Sequence, residues 1–234
     1  MKRCAGGPGL IFLSVQHPPA GRPLTLSRSF LVLLACLAFP APAQDAVVPR
    51  PEVKAGDRWM YRKINLFNNE QIGRPNFTVA FANKDVINVV LMRGYQEVDA
   101  TFTAEWNVVN DPNAGVYNPH SGLLKFPLRV GASYPARYQI TRPRQGAFRV
   151  KLEVQMKVVG WEDVKVPAGT FRALKVEGNG SYQRQDVSGN GQNRFAIWYV
   201  PEVKRWVKWT FESTDFRGQP FQRETDELVD YKLQ

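Results

Sequence analysis

Cysteine and histidine are scarce in this sequence of 234 residues, with two of each. Cys4, Cys36 and His17 all lie within the first 43 residues, which leaves His120 as the one histidine of the remainder. Without thiolates or paired imidazoles, the zinc sites built from these ligands are excluded, and so is a disulfide framework. We therefore expect no metal and no cofactor.

Long hydrophobic runs are also missing. The longest, residues 30–39, has ten residues, whereas a membrane-spanning helix needs about 20. It follows Arg28 and precedes Pro40 and the small residues 41–43, an order typical of an export signal. We predict that residues 1–43 are an export signal with an overlong N-terminal extension. Residues 44–234 are predicted to form a single β-rich domain in the periplasm, with no transmembrane segment.

Cys36 leaves an alternative open. The residues "LLAC" before and at Cys36 resemble the lipobox of bacterial lipoproteins, in which the cysteine is lipidated and becomes the N-terminus. Leu34 stands where a smaller residue is usual, and cleavage after Ala43 uses the whole apolar run. Release by the export signal is thus favoured over anchoring to the outer membrane.

No long amphipathic helix is evident, and the clearest period is that of a strand. In residues 149–158, "RVKLEVQMKV", apolar and polar side chains alternate strictly, as in a strand with one buried face. Similar segments predict an all-β fold of about nine to eleven strands, in an antiparallel sandwich, a barrel or a strongly curved sheet. Asn179-Gly180 and Asn190-Gly191 are predicted to be tight hairpin turns. Residues 110–122, rich in Asn, Pro and Gly, predict the longest loop.

The stretch "VPAGTF", Val166 to Phe171, has the glycine of a ligand-binding loop. However, Pro167 and Ala168 suit the centre of a type I turn, and Gly169 suits the left-handed position after it. We interpret the stretch as a hairpin corner that sets strand register, without a ligand.

Positive charge exceeds negative charge by a moderate amount. Removing residues 1–43 removes four of the 31 basic residues and none of the 21 acids, so the net charge becomes 27 minus 21, or +6. This balance favours anionic partners such as lipid headgroups or acidic polymers. Because the protein is predicted to be exported, we expect no nucleic acid among its binding partners.

Catalytic groups do not form a convincing set. His120 and Ser121 are neighbours in a polar loop without a nucleophile elbow. The pairs Glu97 with Asp99 and Glu162 with Asp163 are more typical of solvated strand faces than of general acid and base pairs. We predict no catalytic residue and no enzymatic activity.

Tryptophan is abundant, with six residues, all after residue 43. Most tryptophans serve core packing, but a concave sheet can also use them to line a groove for an apolar ligand. Trp198, Trp206 and Trp209 lie close together in the sequence, and we name them as candidate ligand-binding residues.

Four motifs resemble those of a bacterial family of exported β-rich proteins of unknown function: "KFPLRVGASY", "VPAGTFRALKVEGNG", "WYVPEVKRWVKW" and "ELVDYKL". The resemblance covers about Lys125 to Leu233. It implies an open half-barrel similar to the periplasmic lipoprotein carriers of the Lol system, whose concave face accepts acyl chains. Glu202 and Lys204 depart from the family pattern, which usually has glycine near this turn.

Together these features predict a periplasmic binding or carrier module for a hydrophobic or amphipathic ligand such as a lipid. The alternative is an envelope scaffold or assembly factor that binds a protein partner through a sheet edge. An enzyme that uses Glu97 and Asp99 is the least favoured hypothesis.

Overall fold

The computed structural model describes residues 47–93 and 96–234. The predicted export signal, with Cys4 and Cys36, lies outside the described residues. Two short 3-10 helices, Pro143–Gln145 and Pro201–Val203, are present. Within the described part of the chain, no helix has the length and apolar character that crossing a membrane requires.

All other regular structure is antiparallel β-sheet, as predicted. The strands are β1 (Arg58–Asn65), β2 (Glu70–Gly73), β3 (Asn76–Ala82), β4 (Val86–Arg93), β5 (Gln96–Thr103), β6 (Val108–Asp111), β7 (Gly115–Asn118), β8 (Ser133–Thr141), β9 (Arg149–Val166), β10 (Gly169–Arg184), β11 (Asn190–Val200), β12 (Arg205–Asp215) and β13 (Pro220–Lys232). Each strand from β3 to β12 pairs with the next strand along the chain, and β1 lies between β2 and β3 in the sheet.

The sheet closes into a barrel. β13 pairs with β1, from Arg58 opposite Lys232 to Asn65 opposite Glu224, so the first and last strands complete a ring of twelve strands, while β2 lies beside β1 as the thirteenth. The half-barrel that the motifs implied is therefore corrected to a closed barrel. Closure has a physical benefit, because it pairs the backbone groups that an open sheet leaves exposed at its edges.

The structure has more strands than the nine to eleven that the sequence predicted. The difference comes from β2, β6 and β7, which have four residues each and therefore show little alternation. β6 and β7 form a hairpin that overlaps the predicted loop 110–122, with β6 beginning two residues before it.

The corner predicted in "VPAGTF" is confirmed. In "VPAGTF", Val166 pairs with Gly169 across Pro167 and Ala168, and Gly169 has the positive φ of 138°. The Ala168 amide at the tip donates to the Leu228 carbonyl of β13 at 3.0 Å, an ordinary length for such a bond. In "WYVP", the chain turns through residues 201–204 before β12 begins.

The two Asn-Gly pairs are not turns. Asn179-Gly180 lies inside β10, and Asn190-Gly191 begins β11. A Cβ atom on Gly180 would overlap the Glu153 carbonyl oxygen and the Val154 Cα of β9. These glycines thus allow close approach of neighbouring backbones within the strongly curved sheet, a role that glycine often has in strands.

The two ends of the barrel differ. The closed end is defined by the segments 47–57, 83–85, 104–107, 119–132, 167–168 and 201–204. The open end is defined by the turns 66–69, 74–75, 112–114, 142–148, 185–189 and 216–219. At the closed end the segment before β1 crosses to the loop before β8, where Val48 and Leu128 exchange backbone hydrogen bonds.

Burial of the inner face decreases from one end to the other. On β9 the inward side chains run from Val158, with 0% of its surface exposed near the closed end, to Val150, with 8% near the open end. On β1, Trp59 and Tyr61 are buried, whereas Lys63 and Asn65 further along the same face are half-buried. The interior is therefore packed at the closed end and more accessible towards the open end.

Candidate functional site

The closed end is sealed by aromatic side chains that bind one corner of the backbone. Trp59 Nε1 donates to the Val203 carbonyl and Trp106 Nε1 to the Lys204 carbonyl, both at 2.8 Å. The rings of Trp59 and Trp106 also pack edge to face, with centroids 5.2 Å apart. These contacts fix the β11–β12 corner, so two of the six tryptophans serve structure.

Arg205 lies in the middle of this aromatic cluster and is fully buried. Its guanidinium carbon is 3.8 Å from the ring centre of Phe77, 4.0 Å from that of Trp206 and 4.1 Å from that of Trp106. Its three side-chain nitrogens have no hydrogen-bond acceptor among the described residues. Burial lowers the pKa of Arg205 to about 10, an effect that Tyr61 and Asp226 partly oppose.

In the open half of the barrel, two aromatic side chains on the inner face are only partly covered. Trp209 and Phe211 lie one pleat apart on β12 and are half-buried. Opposite them on β11 are Ile197 and Phe195, and the Phe195 and Phe211 rings are 5.2 Å apart. Trp209 Nε1 is shielded from solvent and has no acceptor among the described residues. This inner wall is apolar and has one free indole donor.

Charged side chains adjoin this wall. The strand pairing places Trp209 beside Asp226 of β13, and Asp226 beside Lys63 of β1. Lys63 Nζ is 2.9 Å from Asp226 Oδ1 and 3.3 Å from Glu224 Oε2. Glu224 in turn pairs with Phe211. One face of three neighbouring strands thus combines two rings, two acids and one amine.

The electrostatics of these charges follow from their burial. Burial raises the pKa of Asp226, with Glu224 adding to the rise and the Lys63 ammonium opposing it. For Lys63, burial alone lowers the pKa, but Asp226 and Glu224 outweigh burial and the net pKa is raised. The amine therefore stays protonated, and the site is an ion pair within a largely apolar wall.

The three tryptophans named from the sequence do not form one site. Trp206 and Trp209 share the inner side of β12, with ring centres 5.8 Å apart, and Trp206 is buried against the closed-end cluster. Trp198 lies on the outer face of β11, where its Nε1 donates to Glu162 and Lys175 Nζ lies 5.3 Å from the ring centre. The pairing of β11 with β12 shifts by one residue at a bulge between Trp198 and Tyr199. Beyond this shift Trp209 lies opposite Ile197 on the inner face, and Trp198 lies on the outer face.

The candidate catalytic pairs lie elsewhere. Glu97 and Asp99 are exposed on β5. Ser121 Oγ accepts a hydrogen bond from the Val108 amide at 3.0 Å, which gives this hydroxyl a structural partner. Among the described residues, no three His, Cys, Asp or Glu side chains gather as a metal site would require.

Sequence reasoning missed Lys63, Phe211, Glu224 and Asp226. A usable indication was present in β1, where the alternation Trp59, Tyr61, Lys63 places a charge on the face of two large rings. In β13 the alternation Glu224, Asp226, Leu228 does the same for two acids. Alternation assigns each charged side chain to one face of its own strand. Only the pairing of β13 with β1 shows that these side chains are neighbours on the same face of the sheet.

Closure of the ring also bears on the sheet-edge hypothesis. Among the described strands, β2 is the terminal strand of the sheet, since β13 and β1 pair with each other. β2 has four residues, which offers a short edge for strand addition.

Two solved structures resemble this fold. A candidate lipoprotein from Parabacteroides distasonis has a TM-score of 0.52 and 12% identity, covering 80% of this chain and 100% of its own. A candidate exported protein with a YmcC-like fold from Bacteroides fragilis has a TM-score of 0.44 and 13% identity, with the same coverages. No protein-family model matches the sequence, and no curated protein matches it at a significant level. The first likeness shows the fold.

Proposed function

We propose that this protein is an exported, non-enzymatic binding or carrier module that holds a hydrophobic or amphipathic ligand in the open half of its barrel. The observation that carries the proposal is the inner wall of Trp209 and Phe211, half-buried beside the ion pair of Lys63 and Asp226. Such a combination, apolar surface with a few convergent polar groups in a concave setting, is typical of small-molecule sites.

The wall suits an amphipathic ligand for two reasons. Partly exposed rings gain about 25 cal/mol for each Å² of apolar surface that a ligand covers. The Trp209 indole N–H lacks an acceptor among the described residues, and a ligand oxygen would satisfy it. An acyl chain with a carboxylate or ester head offers both the apolar surface and the oxygen.

Other observations support the wider proposal. The apolar run before residue 43 supports export to the periplasm, where the Lol carriers suggested by the sequence motifs hold acyl chains. The exposed positions of Glu97 and Asp99 on β5, away from the inner wall, support a binding role without catalysis. Trp206 is assigned to the base of the site, beneath Trp209.

Binding is tested with dansylaminoundecanoic acid, a fluorescent fatty acid, and its displacement by dodecanoate. We expect the wild-type protein to enhance the dansyl emission. Trp209→Ala combined with Phe211→Ala should weaken binding about tenfold or more, because two rings of the wall are removed.

Trp198→Ala is the matched control, since it removes the same side chain from the outer face of the neighbouring strand. It should change the dissociation constant by less than about twofold, as should Glu97→Gln with Asp99→Asn. Each variant is first checked by near-ultraviolet circular dichroism. Equal losses for the inner and outer variants, or no probe binding by the folded wild type, would contradict the proposal.

A further inference from the structure

The most exposed apolar side chains of the described chain gather at the open end. Five large apolar residues have about half or more of their surface exposed on or beside the open-end turns: Phe67, Ile72, Val187, Phe216 and Phe221, at 51, 49, 55, 69 and 58%. On or beside the closed-end segments, the comparable side chains among the described residues are Val47, at 40%, and Phe81, next to the turn 83–85, at 48%. Apolar exposure concentrated on one side of a protein marks an interaction surface.

The turn between β12 and β13 has an ordered backbone that holds the ring of Phe216 outward. The Asp215 carboxylate accepts hydrogen bonds from the amides of Arg217 and Gln219, both at 2.9 Å. Gly218 closes the turn at a φ of 78°. Phe216 therefore projects from an ordered turn, with the Arg217 guanidinium 5.1 Å from its ring centre.

Other rings extend this surface to further strands at the same end of the barrel. Phe221 at the start of β13 lies 6.4 Å from Tyr182 of β10, ring centre to ring centre. Arg223 of β13 lies 6.0 Å from the ring centre of Phe67 in the turn after β1. The aromatic groups of three hairpins thus face the same end.

Charge at the two ends differs as well. The open-end turns carry Arg74, Arg142, Arg144 and Arg217 against Asp186, and Asp186 is already paired with Arg184. The closed-end segments carry six basic and five acidic residues, namely Arg50, Lys54, Lys84, Lys125, Arg129 and Lys204 against Glu52, Asp57, Asp85, Glu105 and Glu202. Counted over these segments alone, the open end therefore has an excess of three positive charges and the closed end an excess of one, while Glu70 and Asp215 add acids on the strands that flank the open-end turns.

We infer that the open end docks on the surface of an anionic lipid bilayer. Its exposed rings enter the headgroup region, as the apolar faces of peripheral membrane proteins do, and its arginines bind the lipid phosphates. Rings and cations on the same turns fit this partner better than a protein groove, because both groups project from separate hairpins over one end rather than forming a cleft. Docking in this orientation does not depend on ligand binding within the barrel.

The test is co-sedimentation of the purified protein with sucrose-loaded vesicles, either of phosphatidylcholine alone or of phosphatidylcholine mixed with phosphatidylglycerol. We expect binding to the mixed vesicles, weakened by added salt because screening reduces attraction between the arginines and the anionic surface. Phe216→Ser with Phe221→Ser should lower the partition coefficient about tenfold, since two rings are lost. Arg217→Gln should lower it on the mixed vesicles.

Phe81→Ser is the matched control, because Phe81 is 48% exposed on β3, away from the open-end turns. It should bind mixed vesicles as the wild type does, and circular dichroism confirms that each variant is folded. The inference is overturned by equal binding to both vesicle types, by no binding to either, by a Phe81→Ser loss equal to that of the double variant, or by undiminished binding of the folded double variant.

Discussion

Arg205 combines a full charge with complete burial, and the two effects oppose each other. Taking an ion out of water costs several kcal/mol even after relaxation. The cation–π attraction to each well-placed ring stabilises the charge by about 2 kcal/mol in a desolvated setting. Three ring centres lie within 4.1 Å of the guanidinium carbon. Because cost and gain are similar in size, the charge contributes little net stability, and the side chain acts mainly by filling space among the rings.

Two substitutions separate volume from charge at this position. Arg205→Met keeps an unbranched side chain of similar reach, and we expect it to lower the free energy of unfolding by less than about 1.5 kcal/mol. Arg205→Ala leaves a cavity among the rings and should cost about 3 kcal/mol or more. Urea denaturation followed by tryptophan emission measures both. Equal losses for Met and Ala would show that the cation itself stabilises the cluster.

The tryptophans show what a sequence can and cannot assign at the scale of a residue. Packing is the more common of the two roles considered for the tryptophans, and Trp59 and Trp106 fill it. Trp198 and Trp209 looked alike in sequence, yet one lies outside the barrel and the other inside. The β11–β12 corner and a bulge decide their faces, and neither has a clear signature in the local pattern.

Among the elements, the β9–β10 hairpin is the longest, with strands of 18 and 16 residues. The alternation in residues 149–158 predicted its first strand, and "VPAGTF" predicted its corner. The prediction that the Asn-Gly pairs are hairpin turns was wrong, because this dipeptide suits tight turns and its glycine also suits strands whose backbones approach closely. Only the neighbouring strand shows which applies, and that neighbour is set by the fold.

Two glycines of this hairpin should respond differently to a methyl group. In Gly169→Ala the new Cβ would only reach van der Waals contact with the Phe171 ring, at 3.8 Å, but the φ of 138° should cost roughly 1 kcal/mol through backbone strain. Gly180→Ala would push Cβ into the backbone of Glu153 and Val154, and should cost about 3 kcal/mol or prevent folding. Thermal denaturation of both variants gives the comparison.

The contrary result would be a Gly180→Ala protein as stable as wild type, because β10 would then not approach β9 as closely as described. Gly169→Ala should also leave the preference among fatty acids unchanged, since the corner is assigned to strand register. A changed preference among fatty acids at unchanged stability would show that "VPAGTF" contributes to ligand binding.

The whole molecule is a barrel with one packed end and one accessible end. The all-β class followed from composition and alternation, which depend on local neighbours. Closure depended on the pairing of β13 with β1, more than 150 residues apart along the chain, from Asn65 to Glu224. Neither strand alone identifies its partner. The strand pattern therefore left a sandwich, a barrel and a curved sheet open, the family resemblance implied an open half-barrel, and the charged group of Lys63, Glu224 and Asp226 was not predicted.

The asymmetry of the barrel connects the two proposals. Trp59, Trp106 and Arg205 block the closed end, so a ligand on the inner wall has its route at the open end. The exposed rings and arginines surround that same end. Docking on a bilayer would therefore bring the accessible interior next to lipid.

The position of a bound acyl chain tests this account most directly. We would crystallise the protein with a dodecanoate that carries bromine on its terminal carbon, and locate the bromine by anomalous diffraction. The account predicts that the carboxylate lies beside the Trp209 Nε1 donor, that the chain runs past Phe211, and that the bromine peak lies inside the barrel towards the open end. A peak on the outer face near Trp198, or at the closed end near residues 49–53, would contradict it.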